Sequence, residues 1–256
     1  MNNHASKCVL ADRCVVANGK SCNFQCPHFI ATNSRLRASG VPADYLLVTL
    51  VNSPARASQP AVYKSVDAYV RTFERQFADA TGGDGSGRIK SLYLYSASPG
   101  TGKTTTACAV LNSYLTQHYI GSLQRSRQAL HQCVYFLDVN SFQTLFNEFN
   151  RSNIPADIGE EASRQYYRQM QAAKAAPFAV LDDIGVRNAT EAFRGDLHAV
   201  INARVTNGLP TVYTSNLPLS EMERVFDARL YDRMRDQCAE LVFCGKSARG
   251  MRRNDR

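Results

Sequence analysis

The sequence predicts an α/β fold, a parallel sheet flanked by helices, preceded by a small cysteine-rich module. Three observations carry this. From Ile89 onward, short apolar runs alternate with helix-length amphipathic runs, the pattern of strands joined by crossover helices. The runs SLYLYS, CVYFLDV, FAVLDDIG and PTVYTSN are nearly continuously apolar, as strands buried on both faces must be. Four of the eight cysteines fall between Cys8 and Cys26.

Bulk properties bound the answer. A chain of 256 residues that is 44% hydrophobic can bury a substantial core, which excludes a disordered tail. The net charge of +8 gathers towards the two ends, at Arg35, Arg37, Arg56, Lys64, Arg71 and Arg75, then at Arg249, Arg252, Arg253 and Arg256. Nucleic acid is the simplest anionic partner; a merely soluble basic surface is the alternative. The N-terminus MNNHASKCVLADRC lacks an apolar run of signal-peptide length, and no segment approaches the roughly 18 apolar residues of a membrane span. The expectation is a cytoplasmic protein that makes no membrane contact. Its cysteines should then be reduced, with Cys108, Cys133, Cys238 and Cys244 acting as small core hydrophobes.

Residues 1–38 form the cysteine-rich module. Cys8, Cys14, Cys22 and Cys26 are spaced C-x5-C-x7-C-x3-C, and four thiolates suit a tetrahedral Zn2+ ion, with His28 or His4 as a substitute ligand. So short a segment has little apolar surface to fold on, which favours zinc over four ordinary reduced cysteines. Residues 39–90 read as a linker and helix. Gly40 and Pro42 mark the boundary, and Val62, Val66, Tyr69, Val70, Phe73 and Phe77 recur at helical spacing before the glycine-rich TGGDGSGR. Residues 91–256 form the sheet-containing core with a basic tail. In that core SEME at 220–223 offers a capping box for a helix carrying ERVFDARLYDRMRDQ.

Chemistry gathers where strands end. SLYLYS followed by SPGTGKTT and a helical pattern is the strand–turn–helix context of a phosphate loop. Ser98, Pro99, Gly100, Thr101, Gly102, Lys103, Thr104 and Thr105 would cradle the phosphates of ATP with backbone N–H groups and the helix dipole. Lys103 would reach the β and γ phosphates, and the Thr104 hydroxyl would ligate Mg2+. The pattern's first glycine is replaced by Ala97, which costs about 1 kcal/mol if that position needs positive φ and little otherwise. The strand FAVLDDIG runs into two carboxylates: Asp182 fits a magnesium holder and Asp183 the residue that orients the attacking water. Asn216, after PTVYTS, could assist Asp183 or serve only as a turn residue. Arg229 and Arg233 lie four apart on one helix face, which is otherwise read as a solvated basic surface.

Together the phosphate loop SPGTGKTT, the acidic strand VLDDIG, the strand TSN, RLYDRMR and the closing VFCGKSARG resemble the DnaC/DnaI-type helicase loaders of the AAA+ superfamily, most closely phage-encoded DnaC-like replication proteins. The resemblance covers roughly residues 41–251 and includes VPADY at 41–45. It implies an AAA+ P-loop ATPase that assembles side by side with its own copies, binds single-stranded DNA and delivers a DnaB-type replicative helicase onto it. By position it makes Asp182 and Asp183 the Walker B acids and Asn216 sensor 1. Arg233 becomes the arginine finger acting on a neighbouring subunit, with Arg229 as the alternative, and Arg249 a sensor-2-like arginine in cis. The cysteine module matches the DnaI-type arrangement, in which such a module contacts the helicase.

Other readings stay open at this level. An IstB-type transposition ATPase shares the core, and a DNA-binding adaptor could use the loop as a nucleotide switch without turnover. A P-loop kinase lacks visible acceptor and lid motifs. For DNA, Arg125, Arg127 and the helix NSFQTLFNEFNR are candidates by charge, with stacking on Phe142 or Phe146 set against their helical spacing with Leu145 and Phe149, which reads as core.

Overall fold

The computed structural model describes residues 4–78, 88–185, 189–245 and 247. The glycine-rich stretch 81–87 and Arg249 lie outside the described residues.

Five strands, β1 (Ser91–Tyr95), β2 (Val134–Asp138), β3 (Phe178–Asp182), β4 (Thr211–Ser215) and β5 (Cys238–Val242), form one sheet in the order β2-β3-β4-β1-β5, each pairing parallel. Alternate side chains serve two cores. Leu92, Leu94, Val134, Phe136, Phe178, Val180 and Val212 enter one cluster, while Tyr93, Tyr135, Leu137, Leu181 and Tyr213 enter the other. Both faces of β1 to β4 are covered, so those strands carry no polar stripe, whereas the edge strand β5, with Ala239, Glu240 and Val242 exposed, stands where the sequence marked no strand.

The first face is covered by α3 (Lys103–Gln124), which is itself enclosed on its far side by α1 (Pro27–Ala38) and α2 (Pro60–Arg71). That double burial explains why α3 has no polar face: Cys108, Val110, Leu111 and Leu115 are all fully buried. The second face is covered by α4 (Val139–Phe149), α5 (Ala156–Ala175), α6 (Glu191–Thr206) and α8 (Ala228–Gln237). Phe142, Phe146, Phe149, Tyr166 and Phe193 pack there as one aromatic group, which bears out the core reading of the α4 rings.

Several local expectations change. The single helix expected across ERVFDARLYDRMRDQ is broken at Phe226 into the short α7 (Met222–Val225) and α8, and α8 is capped by Asp227, whose side chain accepts from the Leu230 N–H. Ser220 sits inside a 3-10 turn, so SEME is not the cap. Cys244 is exposed rather than core, unlike Cys108 and Cys133.

The N-terminal segment is short turns rather than a free-standing unit. Val9 and Leu10 join the first core, Arg13 donates to Gln117 of α3, and Thr49 donates to Asp12. It thus folds partly by borrowing apolar surface from the larger body, an option that its own length hides. Cys8, Cys14, Cys22 and Cys26 are partly buried free thiols. Burial raises the Cys8 pKa first, and the nearby Cys14, Cys26 and Cys22 raise it further. The four are therefore within electrostatic reach, yet among the described residues no three or more His, Cys, Asp or Glu side chains stand where they could hold a metal ion. His28 hydrogen-bonds Tyr119 and His4 packs against Phe24.

Candidate functional site

A cavity of about 780 Å³ opens at the carboxyl ends of β1 to β4. The position follows from the strand order: β1 sends its crossover to one side and its neighbours to the other, which leaves a crevice at that edge. The chain after β1 turns tightly through Gly100 (φ 73°) and Gly102 (φ 100°) into the first turn of α3. A Cβ on Gly102 would come within 2.5 Å of the Ala55 Cβ, so this position needs glycine twice over. Ala97 is not among the residues at positive φ, so this position does not require glycine for its backbone.

Lys103, only 8% exposed, points its ammonium at Asn216 Oδ1 (2.8 Å) and at the carbonyls of Ser96 and Ser98 (both 3.3 Å). Thr104 donates to Asp182 Oδ2 at 3.1 Å, and Thr214 donates to Asp182 Oδ1 at 2.7 Å. Burial pushes the Asp182 pKa up to about 6; the two hydroxyls oppose this, while Asp183 and Asp138 add to it. A hydroxyl and a buried carboxylate facing each other make a donor set suited to a small hard cation such as Mg2+.

Asp183 sits in the left-handed region (φ 62°), unusual for a non-glycine, and its N–H donates to Thr214 Oγ1 at 2.8 Å. Its carboxylate accepts from Asn140 Nδ2 on one oxygen (2.9 Å) and from Asn216 Nδ2 on the other (3.4 Å). The bent backbone and two amides aim this carboxylate into the cavity, whose lining includes Lys103, Asp182, Asp183 and Asn216.

The arrangement brings the phosphate loop, Asp182, Asp183 and Asn216 together. The fold is a parallel five-stranded sheet flanked by helices, with a strand–turn–helix phosphate loop at its carboxyl edge. Among solved structures, the chain is similar to the DnaC helicase loader (TM-score 0.52, 18% identity, covering 79% of this chain and 100% of that one) and to DnaI (TM-score 0.51, 17% identity, 80% and 96%). It is also similar to domain III of the Thermotoga maritima replication initiation protein DnaA (TM-score 0.50, 14% identity, 82% and 70%). No family model and no curated protein matches the sequence.

Arg229 and Arg233 are exposed on α8 and line no part of the cavity; Arg233 instead donates to Asn202 of α6 at 2.7 Å. Of the DNA candidates, Arg127 is exposed, whereas Arg125 lies over the Phe77 ring at 4.3 Å and pairs with Glu74.

Sequence reasoning missed polar residues at this site, among them Thr214, which donates to Asp182, and also Asn140 and Gln59. Asn140 follows β2 directly and reaches Asp183 because Asp138 caps α4, accepting from the N–H groups of Asn140 and Ser141. Nothing in the local pattern of CVYFLDVNSF marks it. Gln59, ahead of α2, is 6% exposed and touches the carbonyl of Thr101 in the phosphate loop. Its position before Pro60 at a helix start was the one available signal, and that signal suggests only a helix boundary.

Proposed function

We propose that this chain is an ATP-dependent loader that delivers a DnaB-type replicative helicase onto single-stranded DNA in phage-type replication. The observation that carries the reading is the pairing of a cavity lined by Lys103, Asp182, Asp183 and Asn216 with two exposed α8 arginines that line no part of it. Such a site is equipped for phosphoryl transfer but takes its last positive charge from elsewhere, so turnover reports on assembly.

In this reading, backbone N–H groups of the phosphate loop and the start of α3 receive the triphosphate of ATP. Lys103 exchanges Asn216 for the β and γ phosphate oxygens. Thr104 and Asp182 would hold magnesium, which when bound offsets the charge of the phosphates. Asp183, steered by Asn140 and Asn216, orients the water that attacks the γ phosphorus as the bond to the β-phosphate oxygen breaks. Arg233 of a neighbouring copy, or Arg229, then faces the γ phosphate, and Arg249 acts in cis.

The basic excess supports a single-stranded DNA partner, with Arg127 among the exposed contacts. For residues 1–38 the proposal includes helicase contact and zinc on Cys8, Cys14, Cys22 and Cys26; the zinc rests on the donor chemistry of four thiols alone, since among the described residues no three of these groups stand together as a metal site. Element analysis should return one zinc per chain; none would remove the metal from the proposal. A cytoplasmic location goes with this role: among the described residues no helix is long and apolar enough to cross a membrane.

The deciding experiment mixes the full chain with the cognate replicative helicase, ATP and single-stranded DNA and images the products. Helicase rings on DNA that depend on this chain and on Lys103 are expected. No helicase binding, or capture of a transposase instead, would overturn the reading. ATP binding without turnover above Lys103→Ala would point to the nucleotide-switched adaptor.

A further inference from the structure

Three separate stretches of chain meet on one buried side chain. The amide of Gln59 donates to the Cys244 carbonyl at 2.6 Å and accepts from the Cys244 N–H at 3.3 Å, so it engages both backbone groups of that residue as a neighbouring strand would. The same Nε2 lies 3.4 Å from the Thr101 carbonyl inside the phosphate loop. One residue before Cys244, Phe243 is 2% exposed and donates its N–H to Tyr95 at the end of β1. The backbone of Gln59 is fixed in turn. Its carbonyl accepts from Tyr63, whose hydroxyl hydrogen-bonds Thr106 of α3, and Ala55 of the same turn abuts Gly102.

A buried amide with its donor and acceptor both committed has no water to fall back on, so a shift at one partner must be passed to the others or cost an unmade hydrogen bond. Among the described residues the buried Thr101 hydroxyl has no partner, which places an unsatisfied polar atom in the same part of the loop. Phosphates drawn in by the loop would move the Thr101 peptide, and Gln59 is the direct polar link from that peptide to the end of β5.

We propose that Gln59 is a positioning residue that couples nucleotide occupancy of the phosphate loop to the conformation of the chain at Cys244. The inference rests on the nucleotide-binding reading above. It matters for turnover because Arg249, given there a role in cis, follows five residues later in the sequence.

Cys244 supplies the reporter, being an exposed thiol. The test uses the full chain, a non-hydrolysable ATP analogue with Mg2+, and alkylation followed peptide by peptide in the mass spectrometer. In the wild type, the analogue should change the Cys244 alkylation rate at least threefold. In Gln59→Leu that rate should no longer respond to the analogue, kcat should fall at least tenfold, and the analogue's Kd should stay within threefold. Gln59→Met, flexible and of similar length, should behave as Gln59→Leu does if the polar link is what matters. A wild-type rate that is unchanged although the analogue binds overturns the coupling without any variant. So does a variant that keeps the nucleotide response. If the analogue does not bind at all, the nucleotide-binding reading itself fails, a separate and visible result.

Discussion

Asn216 Oδ1 accepts from the Lys103 ammonium at 2.8 Å while its Nδ2 faces Asp183 at 3.4 Å, so one amide spans the phosphate-binding cation and the second acid. Removing the amide frees both. Asn216→Ala should leave nucleotide affinity within threefold, because Lys103 still meets phosphate, but should lower kcat by about 10²-fold through the loss of water orientation. Steady-state kinetics and a fluorescent-nucleotide titration separate the two; a weaker affinity with kcat unchanged would show that Asn216 acts on binding alone.

Ala97 and Gly102 should respond in opposite ways. With Ala97 outside the positive-φ set, Ala97→Gly is expected to keep ATP turnover within a few-fold. Gly102 combines φ 100° with a 2.5 Å approach to Ala55, so Gly102→Ala should abolish nucleotide binding. A large gain from Ala97→Gly would mean that the loop is strained at its start.

The raised pKa of Asp182, about 6 against an ordinary 3.8, has a defined sign. Between those values the folded state holds a proton that the unfolded chain has released. Metal-free stability is therefore fully present below the ordinary carboxylate value and declines as pH rises through about 6. At pH 7, Asp182→Asn should melt above the wild type in EDTA. Magnesium–nucleotide affinity runs the other way, since it needs the charged form, and should weaken as pH falls below about 6. Melting curves and calorimetric titrations across pH 5 to 8 check both.

Arg233 in trans can be tested by mixing. On the proposed reading, Lys103→Ala loses nucleotide use but keeps the finger, and Arg233→Ala keeps the site but loses the finger. Each should be inactive alone, and an equal mixture should recover about a quarter of wild-type turnover with helicase and DNA present. No recovery would place Arg233 in cis or outside the chemistry.

Arg204 is fully buried and donates to the carbonyls of Ala173 (2.6 Å), Ala176 (2.9 Å) and Pro210 (3.0 Å) and to the Thr211 hydroxyl (2.8 Å). Burial lowers its pKa to about 10, so it stays charged at neutral pH. It ties the ends of α5 and α6 to the start of β4. Arg204→Met fills the space but leaves those buried acceptors unpaired, and should cost about 2–4 kcal/mol in denaturant unfolding. ATP turnover of the folded fraction should be unchanged, which separates this staple from the site.

How much of this could be read in advance depended on range. The phosphate loop, the strand ending in Asp182 and Asp183, and the strand ending at Asn216 were legible because each is contiguous, and its chemistry needs particular residues at fixed spacing. The parallel strands β1 to β4 followed for a similar reason, since burial on both faces leaves an apolar signature, whereas the exposed edge strand β5 lacks that burial and went unmarked. What only the tertiary structure decided were contacts between residues far apart in the chain. Asn140 on Asp183, Gln59 on Cys244, Arg125 over Phe77 and the N-terminal turns docked through Val9 and Leu10 have no local spacing to announce them. A side chain's partner across the fold is set by packing and strand order, and neither is encoded in any single short stretch.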